Sequence, residues 1–391
     1  MEKQSGMSKI RKWWPAVVAA LLGILIVVLF IKNKNQIPIE SVSSIRIGVM
    51  LCLTGDSANY GKRSLNGVNW ATQKINDKGG INGKRIKLFV EDDRSSPKDA
   101  VTAFNKLTQA EGIKIVVGDI ISGTTLAVAP IAEKNHVLLF APGASNPQLR
   151  DSGDYIFRNW TSDDFDGKAM ARYLEKKGVK SLGILVQKTD YTIGLADALA
   201  KDFKSLDRSI VSRQEFETDE KDLRTQLLKL KESGVRDVYI SAYSPGTGIA
   251  LKQAAEIGYS PHWYASLTVD TPECATIAGK ARDGVIFSTP AFNINDPSPE
   301  MKIFVQGYKE RFGEDPETVT GHAYDAINIL AMAIEKVGPD PTKIKDELYK
   351  IKNFSGVTGK TSFDDHGDVV KGIQIKQIRG GKPVIIDYFQ P

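Results

Sequence analysis

The chain of 391 residues contains only two cysteines, Cys52 and Cys274, separated by more than half of its length. Two cysteines cannot form the disulfide framework of a small secreted domain or a cysteine-rich zinc site. Both are therefore predicted to be small buried side chains. Such low cysteine content fits a reducing compartment, or a bacterial envelope protein large enough to fold without disulfide bridges.

Catalytic signatures are also missing. The sequence has no glycine-rich phosphate loop, no GxGxxG turn after the first predicted strand, no HExxH motif and no GxSxG motif. The acidic run at 91–93 could bind a metal, but its position before the predicted helix cap at 95–97 favours a solvated strand end. We therefore predict no enzyme activity, no metal and no cofactor. The four histidines form no local metal-binding pair: His136, His262, His322 and His366.

The body of the chain has almost no net charge. The whole sequence has 52 basic and 47 acidic residues, but residues 1–44 contain six of the bases and only two of the acids. The remaining 46 bases and 45 acids leave no positive excess to neutralise phosphates, which argues against a nucleic-acid partner. A monomer is expected.

There is a single long hydrophobic run, at 13–31, with nineteen uncharged positions. As a helix it would span roughly 28 Å, close to the thickness of a bilayer core. Basic residues precede it and no small-x-small cleavage site follows it, which favours an uncleaved membrane anchor over a cleaved signal. The prediction is a cytoplasmic segment at 1–12, a membrane helix at 13–31 and a tether at 32–44, with the body outside the cytoplasm.

From residue 45 onward, predicted strands alternate with helices of ten to fifteen residues, which is typical of βαβ units and parallel sheets. One such run covers about 45–141 and a second covers about 164–266. Two doubly wound α/β lobes joined by a hinge are therefore predicted. Their assigned ranges are 45–161 with 290–368 for the first lobe, and 162–289 with 369–391 for the second.

Small, hydroxyl-bearing and aromatic residues cluster after several predicted strands. Ligands of open α/β sheets bind beyond the carboxyl ends of the strands, and clefts between domains are favoured ligand sites. Ser122 opens a predicted helix, where backbone N–H groups suit an anion such as a carboxylate. The sequence therefore predicts a binding cleft between the lobes, and the residues at these strand ends are Ser122, Gly143, Ala144, Ser145, Tyr191 and Tyr243.

Residues 44–391 resemble the type 1 periplasmic solute-binding proteins, in particular the branched-chain amino-acid-binding family of ABC importers. The most specific segment is INDKGGINGKRIKLFVEDDRSSPKDAV at 75–101, and further similar segments follow in the same order. The resemblance implies that Ser122 and the run Gly143–Ala144–Ser145 hold a ligand carboxylate. It also implies that Tyr60, Tyr191 and Tyr243 contact the ligand.

One position departs from the family pattern. The resemblance implies a glutamate after the strand HWYAS that pairs with the ligand's α-ammonium, but an ungapped count places Leu267 there. A buried ammonium without a partner is unfavourable by several kcal/mol. Either Asp270 replaces the glutamate, or the ligand lacks an ammonium, as in an organic acid, an amide or a 2-oxo acid.

The resemblance implies a protein that binds a small solute and delivers it to ABC permease subunits in the membrane by closing its two lobes around the ligand. The alternative is a membrane-tethered sensor that uses the same binding module without transport. An uncleaved anchor at 13–31 favours that alternative to some extent, although the sequence contains no output domain.

Overall fold

The computed structural model describes residues 44–390 and consists of two large β-sheets flanked by helices, with an additional two-stranded sheet. The predicted segments at 1–12, 13–31 and 32–43 lie outside the described residues. Within 44–390 no helix has the length and apolarity needed to cross a bilayer.

The first sheet has five strands in the order β2-β1-β3-β4-β5, and all its neighbouring strands are parallel. Its strands are short, apolar and mostly buried on both faces, as expected for a sheet covered by helices on both sides. Strand β5 was not anticipated from the sequence. The strands are β1 (Ile45–Leu51), β2 (Ile86–Asp92), β3 (Ile115–Val117), β4 (Leu138–Ala141) and β5 (Ile156–Arg158).

Three helices connect these strands. The helix that follows the predicted cap at 95–97 is α-helical to Asn105 and ends in a π-helical turn over Lys106–Ala110. Its start agrees with the prediction, since Pro97 is in the first turn and the Ser96 hydroxyl accepts a hydrogen bond from Asp99 N–H. The helices are α1 (Ala58–Asp77), α2 (Pro97–Asn105) and α3 (Ser122–Lys134).

The second sheet has seven strands in the order β14-β13-β10-β9-β8-β6-β7. Five of them are parallel as predicted, but β13 runs antiparallel to both β10 and β14. The β13–β14 pair is antiparallel because a two-residue turn joins it, with Gly380 at φ 57° and Gly381 at φ 79°. The strands are β6 (Ser181–Gln187), β7 (Ser209–Phe216), β8 (Asp237–Ser241), β9 (His262–Ser266), β10 (Ile286–Pro290), β13 (Ile373–Arg379) and β14 (Lys382–Phe389).

Five helices connect the parallel strands of the second sheet or precede it. Helix α8 has only seven residues and was not anticipated from the sequence. Its start is nevertheless well marked, since the Thr271 hydroxyl caps Cys274 N–H and Pro272 is in the first turn. These helices are α4 (Asp163–Lys176), α5 (Asp190–Ser205), α6 (Arg224–Glu232), α7 (Ser244–Glu256) and α8 (Pro272–Ala278).

After β10 the chain returns to the first sheet. Side chains of the next three helices share one hydrophobic core with β1, β3, β4 and α1. The chain then crosses to the second sheet for a last time, and this crossing touches the first one through a bridge between Thr161 and Val369. The returning elements are α9 (Pro299–Phe312), α10 (Thr318–Val337), α11 (Pro341–Leu348), β11 (Phe354–Gly356) and β12 (Gly359–Thr361).

Candidate functional site

A cavity lies where loops of the two sheets face each other. Its free volume is about 50 Å³, several times the ~10–15 Å³ that one buried water requires. It therefore admits a small molecule rather than a polymer. Its walls are formed by Tyr60, Ile120, Ile121, Gly143, Ser145, Trp160, Tyr191, Tyr243, Leu267, Thr268 and Val319.

Six of the eight residues predicted from the sequence line this cavity. The exceptions are Ser122 and Ala144, which lie behind the wall. The Ser122 hydroxyl oxygen accepts hydrogen bonds from Ser145 N–H at 3.3 Å and Asn146 N–H at 3.2 Å. Ala144 is fully buried and packs with Ala141 and Leu149. In this structure Ser122 therefore shapes the loop that carries Ser145, and its lone pairs are directed at protein N–H groups.

Gly143 has a steric reason to be glycine. A Cβ atom at this position would lie 2.7 Å from Cβ of Ile120, which is closer than side chains normally approach. The backbone of residue 143 and the Ile120 side chain therefore form one tightly fitted part of the wall. A larger residue would displace Ile120 or narrow the cavity.

Three tyrosines from different parts of the chain form an aromatic cluster in the cavity. The Tyr191 and Tyr243 ring centroids are 5.4 Å apart, and the Tyr60 and Tyr243 centroids are 6.3 Å apart. Tyr60 is on α1 beside the first sheet, whereas Tyr191 and Tyr243 follow β6 and β8 of the second. The Tyr60 hydroxyl also forms a hydrogen bond with the Ser244 hydroxyl. The two sides of the cavity are therefore in direct contact.

Another direct contact joins the same two sides. Asn146, which follows β4, donates from its Nδ2 to the backbone oxygen of Asp190 at 2.6 Å. A Cβ atom at Gly194 would lie 2.8 Å from that Nδ2, so α5 approaches the Asn146 loop closely. Together with Tyr60 and Ser244, this contact holds the sides together in a closed arrangement.

Sequence reasoning missed five lining residues: Ile120, Ile121, Trp160, Thr268 and Val319. Trp160 lies in the first crossing between the sheets and packs on the His322 ring, with centroids 4.5 Å apart. Val319 comes from the start of α10, far along the chain. Ile120 and Ile121 directly precede Ser122, so their position after a strand could have identified them.

Leu267 lines the cavity as predicted, at the start of a single 3₁₀ turn over Leu267–Asp270. Asp270, at the end of that turn, does not line this cavity. It lies in a neighbouring cavity, where its carboxylate is 4.0 Å from the Arg282 guanidinium. Burial raises the pKa of Asp270 to about 6, with Lys376 and Arg282 opposing the shift.

A second buried carboxyl group lies behind the tyrosine side of the cavity. Asp163, in the first turn of α4, is 2% exposed, and its Oδ2 has no hydrogen-bond partner among the described residues. Burial raises its pKa well above the usual range, the nearby Asp166 adds to this shift, and the Ser145 hydroxyl opposes it. Burial likewise raises the pKa of Asp166 to about 6, against the influence of Ser288.

The acidic run at 91–93 is only partly solvated, so the prediction for it needs correction. Asp93 is fully buried, and burial raises its pKa. Burial and the neighbouring Asp93 also raise the pKa of Asp119 well above its usual range. Asp92 has a structural role, since its Oδ1 accepts from Leu53 N–H at 2.9 Å and its Oδ2 accepts from the Thr54 hydroxyl. In the described part of the chain, no cluster of three potential metal ligands occurs.

Both cysteines are free and fully buried, which confirms the prediction that they are packing residues. Burial raises the pKa of both thiols, and for Cys274 the value reaches about 12. Neither cysteine is therefore a reactive thiolate near neutral pH.

A known protein family matches nearly all of the described residues. The family model described as "Periplasmic binding protein" matches residues 44–382. The chain belongs to the branched-chain amino-acid-binding family of type 1 periplasmic binding proteins. This confirms the resemblance stated from the sequence, and the two helix-covered sheets are the two sheets of that fold.

Several periplasmic binding proteins are similar over most of their length. The "Leu/Ile/Val-binding protein homolog 1" of Brucella suis is 31% identical over 330 residues, or 83% of this chain and 88% of the relative. A leucine-binding protein of Thermotoga maritima superposes with a TM-score of 0.84 at 29% identity, covering 89% of this chain and 99% of that one. An isoleucine complex of a Streptococcus pneumoniae substrate-binding protein gives a TM-score of 0.83 at 28% identity, with 89% and 100% coverage.

Proposed function

We propose that this periplasmic binding protein is the extracytoplasmic solute-binding component of an ABC importer and holds a small organic ligand in the cavity between its two lobes. The lobes are residues 45–161 with 290–368, and 162–289 with 369–391. The observation that carries the proposal is a small cavity lined from both sheets. A molecule that touches both walls can stabilise the closed form in preference to the open one.

The proposed mechanism is hinge closure, with no chemical step. The three chain crossings between the sheets are short and can absorb a change in the angle between the lobes. Ligand in the cavity would add contacts that only the closed form makes, beside those of Tyr60 with Ser244 and of Asn146 with Asp190. The closed form would then dock on permease subunits in the membrane.

For the ligand, we propose an organic acid or a related molecule without an α-ammonium group. Leu267 lines the cavity where the family pattern implies a glutamate, and Asp270 points into a different cavity. The remaining wall is aromatic, aliphatic and hydroxylic. The leucine- and isoleucine-binding relatives therefore fix the family of this protein, whereas its ligand is expected to differ at the amine end.

The test is calorimetric titration of residues 44–391 with leucine and with its 2-oxo analogue. We expect the 2-oxo acid to bind more tightly, and Leu267→Glu to reverse the order by supplying a partner for the ammonium. Bound ligand should also raise the melting temperature by mass action and should be recovered unchanged. Tight leucine binding that disappears in Asp163→Asn or Asp270→Asn would contradict the proposed ligand class.

We further propose that an uncleaved helix at 13–31 anchors the protein in the cytoplasmic membrane, with the body on the outer side. The support is nineteen uncharged residues with preceding basic residues and no cleavage motif. The protein from its native host should then be found in the membrane fraction with its original N-terminus. A mature N-terminus near residues 30–45, found by mass spectrometry, would show that the helix is a cleaved signal.

A further inference from the structure

A second cavity adjoins the main one, and three side chains line both cavities: Tyr60, Leu267 and Val319. One layer of side chains therefore separates the two spaces. The free volume of the second cavity is about 420 Å³, compared with about 50 Å³ for the main cavity. We call it the outer compartment. Its remaining walls include Asp270, Phe287, Glu317, Lys376 and Ile385.

The charged side chains of the outer compartment differ in how closely an opposite charge approaches them. The Glu317 carboxylate forms an ion pair with Arg63 Nε at 3.2 Å, and the Asp270 carboxylate lies 4.0 Å from the Arg282 guanidinium. Lys376 is half-buried, and among residues 44–390 no carboxylate lies within ion-pair distance of its Nζ. Asp270 is nevertheless the acidic side chain that acts on Lys376 across the compartment, and it is shared between Lys376 and Arg282.

The sheet around Lys376 explains why this lysine is unusual. In the ladders of β13, it lies opposite Phe287 of β10 and Ile385 of β14, and both of these residues also line the compartment. Burial lowers the pKa of Lys376, and the more distant Asp270 opposes that shift. Because Asp270 also lies beside Arg282, it compensates the Lys376 charge only in part, and an anion that reaches this lysine would be stabilised.

We infer that the outer compartment is a second subsite of the same ligand site, and that it receives a distal anionic group, such as a second carboxylate, which pairs with Lys376. This inference rests on the proposed function, which places the ligand in the main cavity, and it adds that the ligand is an elongated diacid. Leu267 is the partition between the subsites, since it lines both and carries no charge. Cleft opening or a change of its rotamer would let one molecule occupy both spaces.

The experiment compares unbranched dicarboxylates of four to ten carbons with monocarboxylates of equal length, titrated calorimetrically into residues 44–391. At one or more lengths the diacid should bind roughly tenfold to hundredfold more tightly, the usual gain from a charged hydrogen bond. Lys376→Met should abolish that preference and leave monoacid affinity unchanged. Lys382→Met removes an exposed lysine from the adjoining strand β14 and should preserve the preference. Leu267→Ala should increase the preference for the diacid, because the side chain that separates the two subsites becomes smaller.

Two results would overturn the inference while leaving the proposed function intact. One is tight monoacid binding with no gain for any diacid, and the other is a diacid preference that survives in Lys376→Met. If neither class of acid binds at any length, both the proposed ligand class and this inference are contradicted. A melting temperature of Lys376→Met equal to or above that of the unmodified protein would show that lost affinity does not reflect unfolding.

Discussion

The two walls of the main cavity are built in different ways. On the side of the first sheet, the segment after β4 presents backbone and short side chains at Gly143 and Ser145, and Ser122 fixes this loop through two hydrogen bonds. On the side of the second sheet, the segments after β6 and β8 present the long side chains of Tyr191 and Tyr243. In the first wall the shape of this segment is set by the main chain, whereas in the second wall the shape of the facing segments is set by side-chain packing.

The polar groups behind the two walls differ as well. Behind the first wall, the Ser122 hydroxyl is satisfied by two N–H groups. Behind the second wall, Asp163 Oδ2 and Tyr239 Oη have no hydrogen-bond partner among residues 44–390. Buried carboxyl groups with a raised pKa lie on both sides, Asp93 and Asp119 on the first and Asp163 and Asp166 on the second, so both sides should contribute to the pH dependence of stability.

The largest expected effect concerns Asp166 behind the second wall. Its folded pKa is about 6, compared with 3.8 as the ordinary value, so the folded protein keeps this proton to higher pH than the unfolded chain. The free energy of unfolding therefore falls as pH rises from about 4 to about 6, by about 3 kcal/mol in total. Urea unfolding across this range should show a decline about 3 kcal/mol smaller in Asp166→Asn than in the unmodified protein.

Asp164 provides the control for that measurement. It is an exposed carboxylate in the same turn of α4, so Asp164→Asn changes the same charge without a buried environment. If Asp164→Asn flattened the pH profile as strongly as Asp166→Asn, the effect would come from general charge, and the role of the buried Asp166 would be refuted.

The next effect in size is steric and belongs to the first wall. Gly143→Val should lower stability by about 1–3 kcal/mol through overpacking against Ile120. It should also weaken ligand binding by at least tenfold, because the cavity narrows. Gly143→Ala should show the same losses to a smaller extent. If both variants kept the calorimetric affinity and the urea midpoint of the unmodified protein, the main chain at Gly143 would not set the shape of the wall.

A similar or slightly smaller loss is expected for Ser122→Ala. The substitution leaves the N–H groups of Ser145 and Asn146 buried without an acceptor, at a cost of about 1–3 kcal/mol. Ser205→Ala is the matched control, since Ser205 is exposed and its hydroxyl bonds only to Asp202 O within its own helix. Stability is read from thermal melts without ligand. Equal melting temperatures for the two variants would mean that Ser122 does not fix the loop.

The smallest effect is expected where the walls meet. Tyr60→Phe keeps the ring against Tyr243 but removes the hydroxyl that bonds to Ser244. A net loss of about 0.5–1.5 kcal/mol from the closed form corresponds to a severalfold weaker affinity for ligand. The unfolding midpoint of each lobe should hardly change. Small-angle scattering should detect a larger open fraction, and an unchanged profile would contradict a role for this contact in closure.

The fold was predictable from the sequence because it depends on repeated local patterns. Strand–helix alternation gave both sheets, strand ends gave four cavity residues, and the family resemblance gave Tyr60 and Leu267. The antiparallel β13 was less accessible, since it reaches β10 only after the chain has returned to the first sheet and crossed back. Val319 and Trp160 reach the cavity only through tertiary contacts: Val319 starts a helix that returns from the second sheet, and Trp160 lies in a crossing. Local sequence patterns do not show which residues from distant parts of the chain come close to the cavity.

The position of β13 also bears on how this chain folds during synthesis. β13 forms hydrogen bonds with β10, and between them the chain builds all of α9, α10 and α11 on the other sheet. The edge of β10 that pairs with β13 therefore stays unpaired during synthesis until residues 373–377 emerge. Such an edge is a site for wrong pairing with other chains. Removal of residues 373–391 should thus produce aggregation rather than a smaller soluble protein.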